Sequence, residues 1–169
     1  CYANDKVKEN VLLENFVFNS TAEIIRNGKN NIQNGNATEC ALLNCYEKST
    51  KKPYFELRNS VKILDRIPFS SENKYMCTSI FYNGGQRKYI KGAPEVVLSK
   101  CSLTDEQRKN ALKDIAIEQK KARRVLCFAH ADGELDNGID KYIFDGFVCI
   151  FDPIRKDVYK AVADCKRAG

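Results

Sequence analysis

Residues 75–91 read YMCTSIFYNGGQRKYIK, and this stretch decides the fold. Tyr75 to Tyr82 is a strand-like run rich in β-branched and aromatic residues, and Arg87 to Lys91 is another. Between them stands Asn83-Gly84-Gly85-Gln86. Asn-Gly or Gly-Gly between two such runs supplies the positive φ that a tight hairpin demands, so the stretch predicts two antiparallel strands. Upstream, Val61, Ile63 and Arg66-Ile67 follow a period of two up to Pro68 and predict a third strand. Downstream, Val125 to Ala129 and Tyr142 to Phe151 are apolar strand runs separated by a loop over 132–140.

Helical signals surround these strands. Val7, Val11, Leu12 and Phe16 recur at partly helical spacing and predict a helix ending near Asn19 to Thr21. Residues 27–36 are rich in Asn and Gly and predict a surface loop, with a short strand at Ile32 as the most regular structure it could hold. Thr38 to Lys48 predicts a helix capped by Thr38, with Leu42, Leu43 and Tyr46 on one side. Pro94 to Cys101 predicts a short helix with Pro in its first turn. Thr104-Asp105-Glu106-Gln107 is a capping box that opens a polar helix to Arg123, with positions 111, 112, 115 and 116 as its apolar stripe. A last helix is expected over 158–168. Hairpin-paired strands with inserted helices predict an α+β domain, mainly antiparallel sheet flanked by helices. FVCIF, then DPIR, then a helix reads as the start of a different module, so the expected division is 1–151 and 152–169.

The chain has 169 residues, 43% hydrophobic and 30% charged, which suits one globular domain whose core needs no disulfides. No apolar run reaches the ~20 residues of a membrane-spanning helix. The N-terminus is polar and charged, unlike a signal peptide. Lys and Arg exceed Asp and Glu by 28 to 22, a net charge of +6 that suits an anionic ligand without specifying one. Eight cysteines show no C-x-x-C spacing and His130 is the single histidine, so no zinc site is expected. Cys127 and Cys149 lie inside apolar runs, as reduced, buried thiols of a cytosolic protein do. Neither G-x-x-x-x-G-K-[ST] nor G-x-G-x-x-G occurs, so a nucleotide would have to be held without a glycine cradle.

Four segments, in this order, carry a family resemblance: Gly35-Asn-Ala-Thr-Glu-Cys-Ala-Leu-Leu43, Pro68-Phe-Ser-Ser-Glu-Asn-Lys-Tyr-Met76, Lys91-Gly-Ala-Pro-Glu95 and Asp152-Pro-Ile-Arg155. Together they resemble the nucleotide-binding domain of P-type cation-transporting ATPases over nearly the whole chain. GNATECALL and Phe18-Asn-Ser-Thr-Ala22 are most similar to plasma-membrane-type calcium pumps, and PFSSENKY is also similar to the sodium/potassium pumps. The resemblance implies an ATP-binding domain on the cytoplasmic face of a membrane, working with phosphorylation, actuator and transmembrane domains of the same polypeptide, with Mg2+ accompanying ATP in the intact pump. The family's phosphorylated Asp-Lys-Thr-Gly-Thr motif does not occur here, so no catalytic residue and no turnover are expected of this stretch alone.

The resemblance also implies the site. Phe69 would stack on adenine; on sequence alone, following Pro68 at a strand end, it reads as core, and the motif reverses that reading. Glu39 would accept from the exocyclic amine, a role that suits a carboxylate, and Thr38 would cap its helix and shape the pocket. Lys91 would lie deep in the pocket near the base and α-phosphate, with Gly92 and Ala93 giving the backbone room to approach the base. Lys74 would stand near the nucleotide, Met76 would form an apolar wall, Leu126 would line the base and Arg124 would face the phosphates. Calcium pumps often carry an arginine where this chain has Ser71, so a weaker phosphate grip is expected. Asp152 to Arg155 would form the hinge to the phosphorylation domain. The alternatives are a non-catalytic interaction module using the basic surface, and a nucleic-acid binder. The second has little support, because KKARR at 120–124 is the only basic cluster and no nucleic acid is expected as a partner.

Overall fold

The computed structural model describes residues 6–27, 30–82, 84–133, 142–151 and 156–167. In chain order the elements are α1 (Lys6–Phe18), β1 (Glu23–Asn27), β2 (Asn30–Asn34), α2 (Ala37–Thr50), α3 (Tyr54–Asn59), β3 (Lys62–Ile67), β4 (Tyr75–Tyr82), β5 (Gly85–Gly92), α4 (Pro94–Ser99), α5 (Asp105–Lys120), β6 (Arg124–Asp132), β7 (Ile143–Ile150) and α6 (Lys156–Arg167). Strands β3 to β7 form one five-stranded sheet in sequence order, every pair antiparallel. The expected α+β architecture is what the chain adopts. The quoted stretch forms the β4–β5 hairpin, with Tyr82 opposite Gly85 and Gly84 at φ +81°.

Each face of the sheet carries its own core. On one face Phe16 and Phe18 of α1 and Leu42 and Leu43 of α2 pack with Ile80, Tyr89 and Phe128. On the other, Val97 and Leu98 of α4 and Ile115 of α5 pack with Ile90, Val125, Cys127 and Phe147. At roughly 1.5–3 kcal/mol for each fully buried large apolar side chain, this burial on two faces outweighs any local helix preference. It also carries buried polar side chains. Asn15 donates to the carbonyls of Ile90 and Ala129, each at 3.2 Å. Asn19 donates to Met76 O at 3.2 Å and accepts from the Thr78 hydroxyl at 2.9 Å.

Several sequence expectations need correction. The short strand at Ile32 is present as β2, but the Asn-rich segment is more regular than a loop flanking it, because residues 23–27 and 30–34 pair as a two-stranded antiparallel ribbon, with Ile25 opposite Ile32. Asn36, not Thr38, caps α2, its side chain accepting from Thr38 N at 2.8 Å. Asn fits the extended cap geometry, and Thr38 is already inside the first turn. Helix α3 was not expected at all. The capping box of α5 is present, Thr104 accepting from Gln107 N at 3.2 Å and Gln107 accepting from Thr104 N at 3.0 Å. The apolar stripe is narrower than expected, because Leu112 and Ala116 are exposed while Ile115 and Glu118 are buried. Asp152 to Arg155 lie outside the described residues.

Candidate functional site

Antiparallel order brings the C-terminal ends of β3, β5 and β7 and the N-terminal ends of β4 and β6 to one end of the sheet. There Met76 stands opposite Lys91, and Lys91 opposite Phe128. Directly opposed residues share a face, so these three form a row on the α1 and α2 side. Leu126 and Arg124 continue that face along β6, two residues apart each time. Met76 and Lys91 are buried, Leu126 is half-buried and Arg124 is exposed.

The first turn of α2 meets this row. Lys91 Nζ donates to Glu39 Oε1 at 2.6 Å, and both side chains are buried. Glu39 Oε2 accepts from the backbone amides of Thr21 at 2.9 Å and Ala22 at 3.0 Å, and from the hydroxyls of Thr21 at 3.1 Å and Ser20 at 3.2 Å. Burial opposes ionisation of Glu39, but attraction to Lys91 and these hydrogen bonds outweigh it, and the carboxyl is held below its ordinary value. Burial pulls the Lys91 ammonium down, Glu39 opposes that pull, and the neighbouring Arg66 and Arg58 add to it. The Lys91 nitrogen and the Glu39 carboxylate stand within ion-pair distance, at 2.6 Å.

Two arginines reach the same turn from the other side. Arg58 donates to Ala22 O at 2.8 Å and Val17 O at 3.3 Å, and Arg66 to Phe18 O at 3.2 Å. None of Asn15, Asn19, Ser20, Thr21, Arg58 and Arg66 was expected at the site. Asn15 in α1 and Asn19 just past its end, four residues apart beside apolar positions, were a readable signal of buried polar work. The arginines gave none, because most of their partners are main-chain carbonyls.

The connection between β3 and β4 carries Phe69, Ser71 and Lys74. It closes on Ser70, whose carbonyl accepts from Lys74 N at 2.8 Å and whose hydroxyl accepts from Asn73 N at 3.0 Å. Phe69 is 61% exposed, so it is not part of the core. Ser71 is also exposed, and Lys74, at φ +57°, holds its ammonium 3.8 Å from Glu95. Lys74 O accepts from Ala93 N at 3.0 Å. Gly92 has a structural duty here: a Cβ on it would stand 2.5 Å from Lys74 O.

A cleft of about 450 Å3 opens beside α2, lined by Thr38, Arg124, Ala122, Ile150 and Phe151 among others. Arg123, the neighbour of Arg124, instead pairs with Glu118. A smaller cavity of about 120 Å3 near Asp65, Lys88 and Lys100 contains none of the expected site residues. Among the described residues, no group of three or more His, Cys, Asp or Glu side chains could hold a metal ion.

Comparison with known proteins gives the family. The family model "P-type ATPase, cytoplasmic domain N" matches residues 8–157. The chain is 34% identical over 164 residues to plasma membrane calcium-transporting ATPase 4 of Bos taurus, a match covering 81% of this chain and 13% of that protein. It is 33% identical over 178 residues to calcium-transporting ATPase PAT1 of Dictyostelium discoideum, covering 95% of this chain and 16% of the relative. Against calcium-transporting ATPase 1 of Bacillus cereus it is 31% identical over 180 residues, with 95% and 19% covered. The chain thus spans less than a fifth of the length of these relatives.

Proposed function

Because this chain belongs to the P-type cation-transporting ATPase family, as its cytoplasmic domain N, we propose that it binds ATP and delivers it to the phosphorylation domain of a calcium-transporting pump. The single observation that carries the proposal is Phe69, a large aromatic left 61% exposed at the sheet end that also holds Met76, Lys91 and Leu126. Adenine stacks on Phe69, with Met76 and Leu126 as apolar walls and Gly92-Ala93 at the backbone edge. Thr38 shapes the mouth of the site. Lys91 supplies positive charge beneath the base, with Glu39 behind it, and Lys74 and Arg124 supply it toward the phosphates. Ser71 leaves the phosphates less firmly held than an arginine would.

In the pump, closure of this domain brings the γ-phosphate to an aspartate elsewhere in the polypeptide, and the acyl phosphate formed there drives transport across the membrane. Mg2+ belongs to that step, and it changes binding to this domain little. The domain works on the cytoplasmic face, with actuator and transmembrane domains of the same chain as partners. Base recognition with few phosphate contacts gives a dissociation constant of roughly 0.1–1 mM, about −4 to −5.5 kcal/mol.

An amide NMR titration with ATP, AMP and GTP, repeated on Phe69→Ala, tests this. Saturable shifts with ATP and AMP, weaker with GTP, are expected. The variant stays folded, because its side chain is outside the core, and loses about 1–3 kcal/mol of binding. No saturable shift in the native chain, or an unchanged affinity in the variant, refutes the proposal.

A further inference from the structure

We infer that Glu118 is a positioning residue for Arg124: its carboxylate holds the turn between α5 and β6, and that turn sets where the Arg124 guanidinium stands at the cleft. The inference rests on the ATP-binding reading and adds one residue to it. Glu118 is only 2% exposed although it carries a carboxylate. It lies in the last turn of α5, where the helix dipole disfavours negative charge. Two cations flank it: Lys121 Nζ donates to Oε1 at 2.7 Å, and Arg123 donates to Oε2. The Cys149 thiol on β7 is pushed up by burial first and by the Glu118 charge second, so the carboxylate also stands close to the sheet.

The backbone of the turn explains the need for this anchor. Ala122 N donates to Gln119 O at 2.9 Å and Arg123 N to Glu118 O at 3.4 Å, the paired bonds of a Schellman ending. That ending puts Ala122 at φ +56°, a left-handed conformation that glycine usually fills because a Cβ is crowded there. An apolar contact commonly joins the two ends of such a turn. Here those ends are Arg123 and Glu118, and an ion pair takes the place of the apolar contact. An alanine is thus held in a glycine's conformation by bonds across the turn. Successive strand residues leave toward opposite faces. Arg123 is drawn to Glu118 on the α5 side, and Arg124, opposite Ile150, stands on the α2 side. Ala122, Arg124 and Ile150 line the same cleft. Without the Glu118 bonds the turn relaxes out of the left-handed region, and the point from which Arg124 reaches the phosphates moves with it.

The test compares ATP with adenosine, which has no phosphates for Arg124 to meet. Both affinities are measured by amide NMR titration, at one salt concentration, for the native 169-residue chain and for Glu118→Gln. Positioning predicts that the variant weakens ATP by roughly three- to tenfold and changes adenosine by less than about 1.5-fold. An equal loss for both ligands makes Glu118 a support of the whole domain and overturns the inference. Unchanged or tighter ATP binding also overturns it, because Glu118 would then act only as a negative charge opposing the phosphates. A double-mutant cycle with Arg124→Gln locates the effect. If Glu118 acts through Arg124, the double variant binds ATP no worse than Arg124→Gln alone, within about twofold; multiplying losses overturn the inference.

Ala122→Gly supplies a rescue. Glycine adopts the left-handed turn without the anchor, so Glu118→Gln combined with Ala122→Gly should regain ATP affinity to within about twofold of the native chain. No recovery overturns the inference. Should Glu118→Gln fail to fold, Glu118→Asp keeps the charge and shortens its reach, and a loss confined to ATP, of about two- to threefold, is expected. Unchanged ATP affinity in that variant counts against the inference. If the native chain binds neither ligand, the ATP reading itself falls. If it binds ATP and the variants give the opposite result, only the role of Glu118 falls.

Discussion

Gly92→Ala isolates a steric requirement at the mouth of the site. A Cβ at this position would stand 2.5 Å from Lys74 O, 2.7 Å from Tyr75 Cβ and 2.8 Å from Tyr75 Cα. Two of these atoms are backbone and the third is bonded directly to it, so none can swing aside as the far end of a side chain can. Backbone φ at Gly92 lies outside the left-handed region, so the cost is crowding and not conformational strain. Forcing one extra carbon into such a contact costs about 1–3 kcal/mol. The entry of β4 must then move away, and the Ala93 N to Lys74 O bond of 3.0 Å goes with it. That loss adds about 1 kcal/mol, giving roughly 2–4 kcal/mol in total. Urea unfolding followed by circular dichroism reads the effect as a lower midpoint at unchanged slope. Gly85→Ala is the control, because a Cβ there meets nothing within 4 Å. If Gly92→Ala stays within about 0.5 kcal/mol of the native chain, the steric reasoning is wrong.

Three further outcomes are expected. Asn36→Ala removes the cap of α2 and lowers stability by about 1 kcal/mol in the same unfolding assay, while Thr38→Val costs less, because Thr38 contributes only its amide to the cap. The carboxyl of Glu39 lies below its ordinary value of 4.5 in the folded chain. Its ionisation therefore stabilises the fold fully above that value and is lost as pH falls through the folded value; from about pH 6 to pH 3 the native chain should lose more stability than Glu39→Gln does. Thiol labelling of the folded chain should modify exposed Cys165 first. Cys127 and Cys101, the latter pushed by burial up to about 12, should stay unreacted until unfolding. Early labelling of either would contradict their placement beneath α4 and α5.

The strands and the motif-bearing positions were legible because their signals are local. Alternation in Tyr75 to Tyr82 and the Asn-Gly-Gly turn report a hairpin wherever they stand, and the Thr104 to Gln107 box reports a helix start. The short ribbon of β1 and β2 was not legible, because Asn-rich strands have turn-like composition and owe their pairing to the anchoring of Ile24 in the core. Helix α3 is six residues long and follows Pro53, too short for a period to register. Resemblance pointed to one sheet end, where the fold gathers Glu39, Met76, Lys91 and Leu126, but the hydrogen bonds that hold Glu39 are a property of the turn at 20–22, which no spacing in the sequence reveals. Phe69 by itself read as core, the motif reversed that reading, and the fold leaves it 61% exposed.

Asn15 of α1 and Asn19, just past its end, have a consequence for the order in which the chain folds. Asn15 binds the carbonyls of Ile90 and Ala129, partners 75 and 114 residues away, and Asn19 binds that of Met76, 57 away. A helix among the first residues can form within microseconds of being free to do so, whereas contacts this distant wait on the closure of long loops. The carbonyls that receive Asn15 belong to strands, so α1 seats fully only after β5 and β6 lie side by side. The element that forms first is thus among the last to be locked, and its docking reports that the central strands have found their register. Contact order of this kind slows folding without lowering stability. It also ties the seating of α1 to the register of the sheet, since Asn15 needs the carbonyls of Ile90 and Ala129 directly opposite each other.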